Sequence, residues 1–413
     1  MTAATASAGR TAPPRGALLF IIITVVINMI GVGMAWPVLP KLVQQMGDGS
    51  VSNAAFVYAI IGVLFALSQF LFSPLIGNLA DKYGRRPVLL ISLTGLGFDY
   101  LLTAFAPSYF WLGIIRFAGG IFAATITTAN AYAADISTPD NRARNFGFIG
   151  AAFGVGFILG PLLGGWLGAI DIRLPFLAAA ALAAVNVVFG YFVLPESLPE
   201  AKRRALDLSE CNPFKTLKRI AAFPALMPLM IGLFITATAQ RGLEATWVLY
   251  LDFRFGWDIR AAAWSLAFVG VMYFIVQGFA VGPVVKRFGE WRIVIAGFAI
   301  SGFSFLFYAS ATEGWMLYPL IALYAIGNGI GAPALNAICS KTVDENRQGQ
   351  LQGALQSINA LAVIIGPFAA SLILAHVSSP DPLINLPGAW FALSAVAFAI
   401  ALILAIRANR RLG

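Results

Sequence analysis

Four charged side chains fall inside long apolar stretches: Asp99, Arg116, Arg241 and Glu244. An ionisable group at bilayer depth costs about 2.5 to 3.5 kcal/mol on the gentlest insertion scale, so each needs a task that offsets its burial. Asp99 stands about eleven residues into its stretch, or roughly 16 Å at 1.5 Å per residue, close to the middle of a hydrocarbon core about 30 Å thick. Desolvation there favours the neutral acid, which allows a carboxyl to load and release a proton. A structural hydrogen-bonding acid is the other reading. Arg116, followed one turn later by Gly120, cannot be deprotonated, so it serves as counter-charge to an acid or to an anionic group of a ligand. Arg241 and Glu244 are three apart and share a helix face. Either they neutralise each other, or Glu244 stands free as a second titratable acid with Arg241 holding it ionised.

The elements that must position these groups follow from composition. Of 413 residues, 59% are hydrophobic and only 11% charged, far below the charge of an ordinary soluble domain. Apolar runs broken by charge, Gly or Pro predict twelve membrane helices near 17–38, 53–77, 88–106, 109–134, 145–168, 173–194, 224–250, 259–284, 292–310, 315–339, 350–375 and 388–407. The long polar connection 195–223 divides the chain into a bundle at 1–194 and another at 224–413. Of 27 Lys and Arg, all but six lie in the two termini and the even-numbered connections. The six are Lys41, Arg173, Arg254 and Arg260 in odd-numbered connections, and Arg116 and Arg241 inside helices. This asymmetry predicts both termini and the linker on the cytoplasmic face of a plasma membrane, so the basic surplus reads as topology and not as nucleic-acid binding.

Landmarks recur at one offset. The loop from Gly77 to Arg85 is echoed from Gly282 to Glu290, Asn141-Arg142 by Asn346-Arg347, and Gly160-Pro161 by Gly366-Pro367 one residue later. Two parallel six-helix repeats explain this spacing. The first loop has parts with physical jobs: Gly77 for close helix approach, Gly84 for a tight turn, Pro87 in the first turn of the next helix. Asp81 can pair with Arg85 or Arg86, and Asp135 is placed by topology to reach the same arginines, a contact that one conformation makes and another breaks. The alternative is a positive loop whose order is fortuitous. In the fifth span Gly150, Gly154, Gly156, Gly160, Gly164 and Gly168 accompany Pro161, a small-residue ladder that permits backbone-to-backbone packing and bending.

These residues resemble a known family. The Gly77–Pro87 loop is similar to the signature between the second and third helices of the major facilitator superfamily, and the likeness covers essentially the whole chain. The segments GVGMAWPVLPKL, GFDYLL, NAYAADIS, NRARNFGF, GFILGPLLGG and NRQGQLQGAL resemble the bacterial tetracycline-efflux branch of its drug:proton antiporters. The resemblance implies twelve helices in two bundles around a central cavity, alternating access and outward transport. It implies that Asp99 is the essential acid of the third helix, that Arg116 faces the cavity, and that Gly156, Gly160, Pro161 and Gly164 seal the two halves when the cavity faces the cytoplasm. Three family positions depart: Asn28 stands where an acid is usual in the first helix, Tyr273 where a histidine is usual in the eighth, and Ser301 where an acid is usual in the ninth. Coupling must then centre on Asp99, with Arg116, Arg241 and Glu244 as its other charges.

Polar and aromatic residues at interior positions form a candidate cavity list: Asn28, Gln69, Tyr100, Asn130, Gln240, Trp247, Tyr273, Gln277, Asn328, Gln356 and Asn359. Each alone is also a common helix–helix contact. Neither a Walker loop, HExxH, GxSxG nor a cysteine cluster occurs in a usable context, so no enzyme, cofactor or metal is expected. The sole histidine, His376, falls near the outer end of the eleventh span. The reading is an all-α polytopic transporter acting as a monomer, exchanging a small amphipathic compound for protons. A lipid translocator or uncoupled facilitator of the same fold is the alternative, and a non-transporting sensor a third.

Overall fold

The computed structural model describes residues 17–123, 125–137, 142–204, 223–344 and 347–412. Among these residues there are fourteen α-helices: α1 (Ala17–Met46), α2 (Val51–Tyr83), α3 (Arg85–Ala104), α4 (Tyr109–Phe122), α5 (Thr125–Asp135), α6 (Arg142–Gly168), α7 (Leu174–Val193), α8 (Met227–Phe255), α9 (Ile259–Ile275), α10 (Val281–Phe288), α11 (Glu290–Ser310), α12 (Leu317–Lys341), α13 (Gln348–Val377) and α14 (Ala389–Leu412). Eleven spans are individually long and apolar enough to cross a membrane. The fourth predicted span is divided into α4 and α5, and the eighth runs through α9, a π-helical turn at Val276–Ala280 and α10. Asn141, Asn346, Cys211 and most of the predicted linker lie outside the described residues.

Helix ends carry local signals. Ser50 and Asp258 accept hydrogen bonds from the Asn53 and Ala261 amides (3.2 and 2.8 Å), capping α2 and α9. Gly84 and Gly289 occupy equivalent positions in the repeated loops, and both have positive φ, +105° and +78°. A side chain is strained in that backbone region, so glycine turns the chain there in each half.

The helices form two bundles. Helix α6 packs on α1 and α3 on α7 before the linker; α11 packs on α12 and α14, and α8 on α13 and α14, after it. The bundles meet along two seams, α2 with α13 and α6 with α9. Inter-bundle polar contacts gather at the end bearing Ser50: Lys41 Nζ reaches Asp252 (2.7 Å), Gln44 Nε2 donates to Asp252 (3.0 Å), and the Ser52 hydroxyl donates to the Ala375 carbonyl (2.6 Å). One buried apolar cluster runs through both bundles, joining Met34 and Leu42 to Trp247 and Ile259. At the Gly84 end the first bundle has a separate, smaller core around Ile21, Leu89, Tyr132 and Ile149. The molecule is thus closed at the Ser50 end, with its halves parted at the other.

Candidate functional site

The deepest polar contact is an ion pair. Asp99 on α3 and Arg116 on α4 are both buried, and Arg116 Nε donates to Asp99 Oδ1 at 3.1 Å while Nη2 meets Oδ2. The Phe65 ring lies 5.3 Å from the guanidinium carbon, closing the site with a π face. The two glycines that follow Arg116 by one turn explain how the pair fits. A Cβ on Gly119 would lie 2.3 Å from Asp99 Oδ1, and one on Gly120 would lie 2.0 Å from the Ser68 hydroxyl and 2.3 Å from the Phe65 carbonyl. Gly119 therefore makes room for the carboxylate, and Gly120 lets α4 close on α2. Sequence reasoning singled out Gly120 and missed Gly119 and Phe65, whose relation to Asp99 crosses between helices.

A second cluster sits at the centre of the other bundle. Arg241 Nη1 and Gln240 Nε2 donate to the two oxygens of Glu244 (2.8 and 3.0 Å). Asn328 on α12 donates to Gln240 Oε1 (3.2 Å) and to the Tyr273 hydroxyl on α9 (2.7 Å). Arg241 and Glu244 thus pair in this conformation, and three candidate cavity residues converge on them. The others scatter. Tyr100 and Trp247 belong to the buried core, Trp247 donating to Ser265 (2.9 Å). Gln69 donates to the Ala123 carbonyl (3.4 Å), Asn359 bonds back to Leu355 in its own helix, and Gln277 and Gln356 are exposed. Asn28 and Asn130 line a narrow crevice between α1, α5 and α6. Ser301 is buried beside Gly327, and His376 accepts from the Leu383 amide near the closed end (3.1 Å).

At the Gly84 turn, Arg85 bridges Asp81 (2.6 Å) and Asp135 (3.1 Å), tying α2, α3 and α5. Arg86 does not join them; its guanidinium reaches the Tyr191 carbonyl and ring on α7. Glu196, placed by sequence in a plain linker, accepts the amides of Arg85, Arg86 and Leu198 (2.8, 3.2 and 2.9 Å), capping α3. Ser197 donates to Asp135 (3.1 Å), and Tyr132 to the Pro195 carbonyl (2.9 Å). The start of the linker is therefore part of the loop cluster. Its signal was the acid standing just after the end of α7.

Two glycine expectations are corrected. A Cβ on Gly77 would meet nothing within 4 Å, because α2 faces the parted end there and no helix approaches it closely. Gly156, Gly160 and Gly164 do not touch the opposite bundle: Cβ atoms on them would fall 2.3 to 2.6 Å from Met29, Gly33 and Met34 of α1, so the ladder fuses α6 to its own bundle. The inter-bundle face belongs to Gly165 and Gly168, which meet Ala263 and Ile259 of α9.

With this geometry in view, comparison with known proteins is decisive. The Major Facilitator Superfamily model matches residues 21–367 and 229–411. The chain belongs to this superfamily. It is 40% identical over 363 residues to the class C tetracycline resistance protein of Escherichia coli, covering 88% of this chain and 91% of that one. It is 38% identical to the class G protein of Vibrio anguillarum, covering 86% and 89%. Among solved structures, a peptide transporter POT variant bound to alafosfalin superposes with a TM-score of 0.75 at 16% identity over 98% of this chain and 96% of that chain, which supports the major facilitator fold. As a superfamily member with efflux relatives, this multi-pass membrane protein is a transporter of small molecules and not an enzyme.

Proposed function

We propose that the chain is a drug:proton antiporter of a bacterial inner membrane, exporting a small amphipathic compound by alternating access, with 1–194 and 224–413 as its moving halves and both termini cytoplasmic. The sealed Asp99–Arg116 pair carries this reading. A buried charge pair contributes little as a stabiliser, whereas an acid held beside a fixed cation is a site whose charge a proton can switch. Protonation of Asp99 cancels the attraction that holds Arg116 and changes the energy of the α3–α4 contact. The conformation described, closed at the Ser50 end, is the one that admits compounds from the cytoplasm. The Asp81–Arg85–Asp135 cluster is the latch of the loop. The resistance-protein relatives support export over the lipid-translocator alternative, while Asn28, Tyr273 and Ser301 set this chain's charge pattern apart.

The test is purified protein in liposomes with a trapped pH dye and an imposed proton gradient, challenged with amphipathic compounds including a tetracycline. Compound-triggered proton movement in the wild type that is lost in Asp99→Asn is the expected result. Equal fluxes in both proteins overturn the assignment.

A further inference from the structure

The two intramembrane charge pairs differ in one respect that separates their tasks. The side chains of Arg116 and Asp99 are 8% and 2% exposed, whereas those of Arg241 and Glu244 are 41% and 26% exposed. Arg241 is the central residue of α8, at the depth where an open charge is costliest. Its donors are also unevenly used. Glu244 has both oxygens engaged, by Arg241 and Gln240, yet Arg241 commits only Nη1, and its Nε and Nη2 carry no partner among the described residues. Helix α13 comes close behind it, since a Cβ on Gly366 would lie 3.0 Å from the Arg241 Cβ. That approach blocks retreat on one side. The polar groups beside the pair, Tyr273 and Asn328, come from α9 and α12, so the exposed guanidinium edge opens on the space between the bundles.

We infer that Arg241 anchors the transported compound, and that the substrate class is an amphipathic molecule with an aromatic body and a planar oxyanion such as a carboxylate or acidic enol. The inference rests on the transporter reading above and names the ligand of the same cavity. A guanidinium with two N–H edges free is complementary to two oxygens in a plane, and it keeps its charge at every working pH. Tyr273 supplies an aromatic wall beside it. Glu244 holds Arg241 in place while the site is empty and shares it once the oxyanion arrives.

The experiment measures equilibrium binding to the purified full-length protein of three probes with one skeleton: 9-anthracenecarboxylate, 9-anthracenemethanol and 9-anthracenemethylammonium. The wild type should bind the carboxylate about tenfold or more tighter than the alcohol, as charge-assisted hydrogen bonds predict. Arg241→Gln should abolish that preference, and Arg241→Lys, which keeps the charge but loses the fork, should retain part of it. Glu244→Gln should tighten carboxylate binding several-fold by removing a competing anion, a gain that a merely structural pair would not give. The double variant Arg241→Gln/Glu244→Gln leaves no lone charge to disturb folding and should bind all three probes alike. Equal wild-type affinities, a preference for the ammonium, or a carboxylate preference that survives in the double variant would overturn the inference. Because binding is read without a proton gradient, the outcomes separate: carboxylate selectivity without proton coupling removes the antiport reading alone, and proton-coupled transport indifferent to charge removes this inference alone.

Discussion

At the residue scale, Asp99 and Arg116 form a unit in which each removes the other's burial cost. Breaking a buried pair from one side leaves an uncompensated charge at a cost of about 3–5 kcal/mol. Arg116→Ala should therefore lower the thermal midpoint of the purified protein markedly, and the Asp99→Asn/Arg116→Gln double variant should recover much of that loss while still failing to accumulate substrate. A double variant no more stable than Arg116→Ala would refute the coupling. Gly119 gives a finer test. Its missing Cβ leaves the space that Asp99 Oδ1 fills, so Gly119→Ala should impair gradient-driven transport nearly as severely as Asp99→Asn, although no charge has changed. Unimpaired transport in Gly119→Ala would mean that the carboxylate does not need its present position.

At the element scale, the turn between α2 and α3 concentrates the strain and its relief. Gly84 has φ +105°, and a Cβ there would lie 2.4 Å from Glu196. Gly84→Ala thus combines a sparsely populated backbone, on the order of 1–3 kcal/mol, with loss of the Glu196 cap on α3. Hydrogen exchange should show faster exchange at the Arg85 and Arg86 amides in both Gly84→Ala and Glu196→Gln. Protection equal to wild type in both would remove the linker from the latch. The opposite end responds differently to acid. The Ser50 amide hydrogen bond (2.9 Å) holds the Asp48 carboxyl below its usual 3.8, so that turn keeps its contribution at all pH values above the ordinary carboxylate range and loses it only as pH falls through the lowered value. Any change in transport between pH 5 and 8 then originates elsewhere in the protein.

For the whole molecule, the balance between open and closed ends rests on modest contacts. The Lys41–Asp252 pair at the mouth is partly exposed, and such pairs contribute roughly 0.2–1 kcal/mol, enough to shift a two-state population up to about fivefold. Lys41→Gln should enlarge the population open at the Ser50 end, read as longer distances between spin labels at positions 52 and 375. Gly165→Ala should act in the same direction more strongly, because its Cβ would lie 2.3 Å from Ala263 across the seam. An unchanged distance distribution in Gly165→Ala would show that this seam does not govern closure.

Much of this architecture was legible in the chain itself. Apolar run length and the distribution of Lys and Arg determined the spans, because a bilayer demands about 20 apolar residues per helix and each intramembrane charge stands out against them. The repeated loop glycines were visible as letters, and the positive φ at Gly84 and Gly289 is their physical content. Spacing along a helix also gave the shared face of Arg241 and Glu244. It did not say which neighbour each face meets. That the glycine ladder binds α1 and not the opposite bundle, that Gly119 frames Asp99, that Glu196 folds back to cap α3, and that Tyr100 and Trp247 are core were decided only when helices distant in sequence were brought together. Periodicity is a property of one helix, whereas a site is a property of the approach between helices, and small residues set that approach through the side chains of their partners.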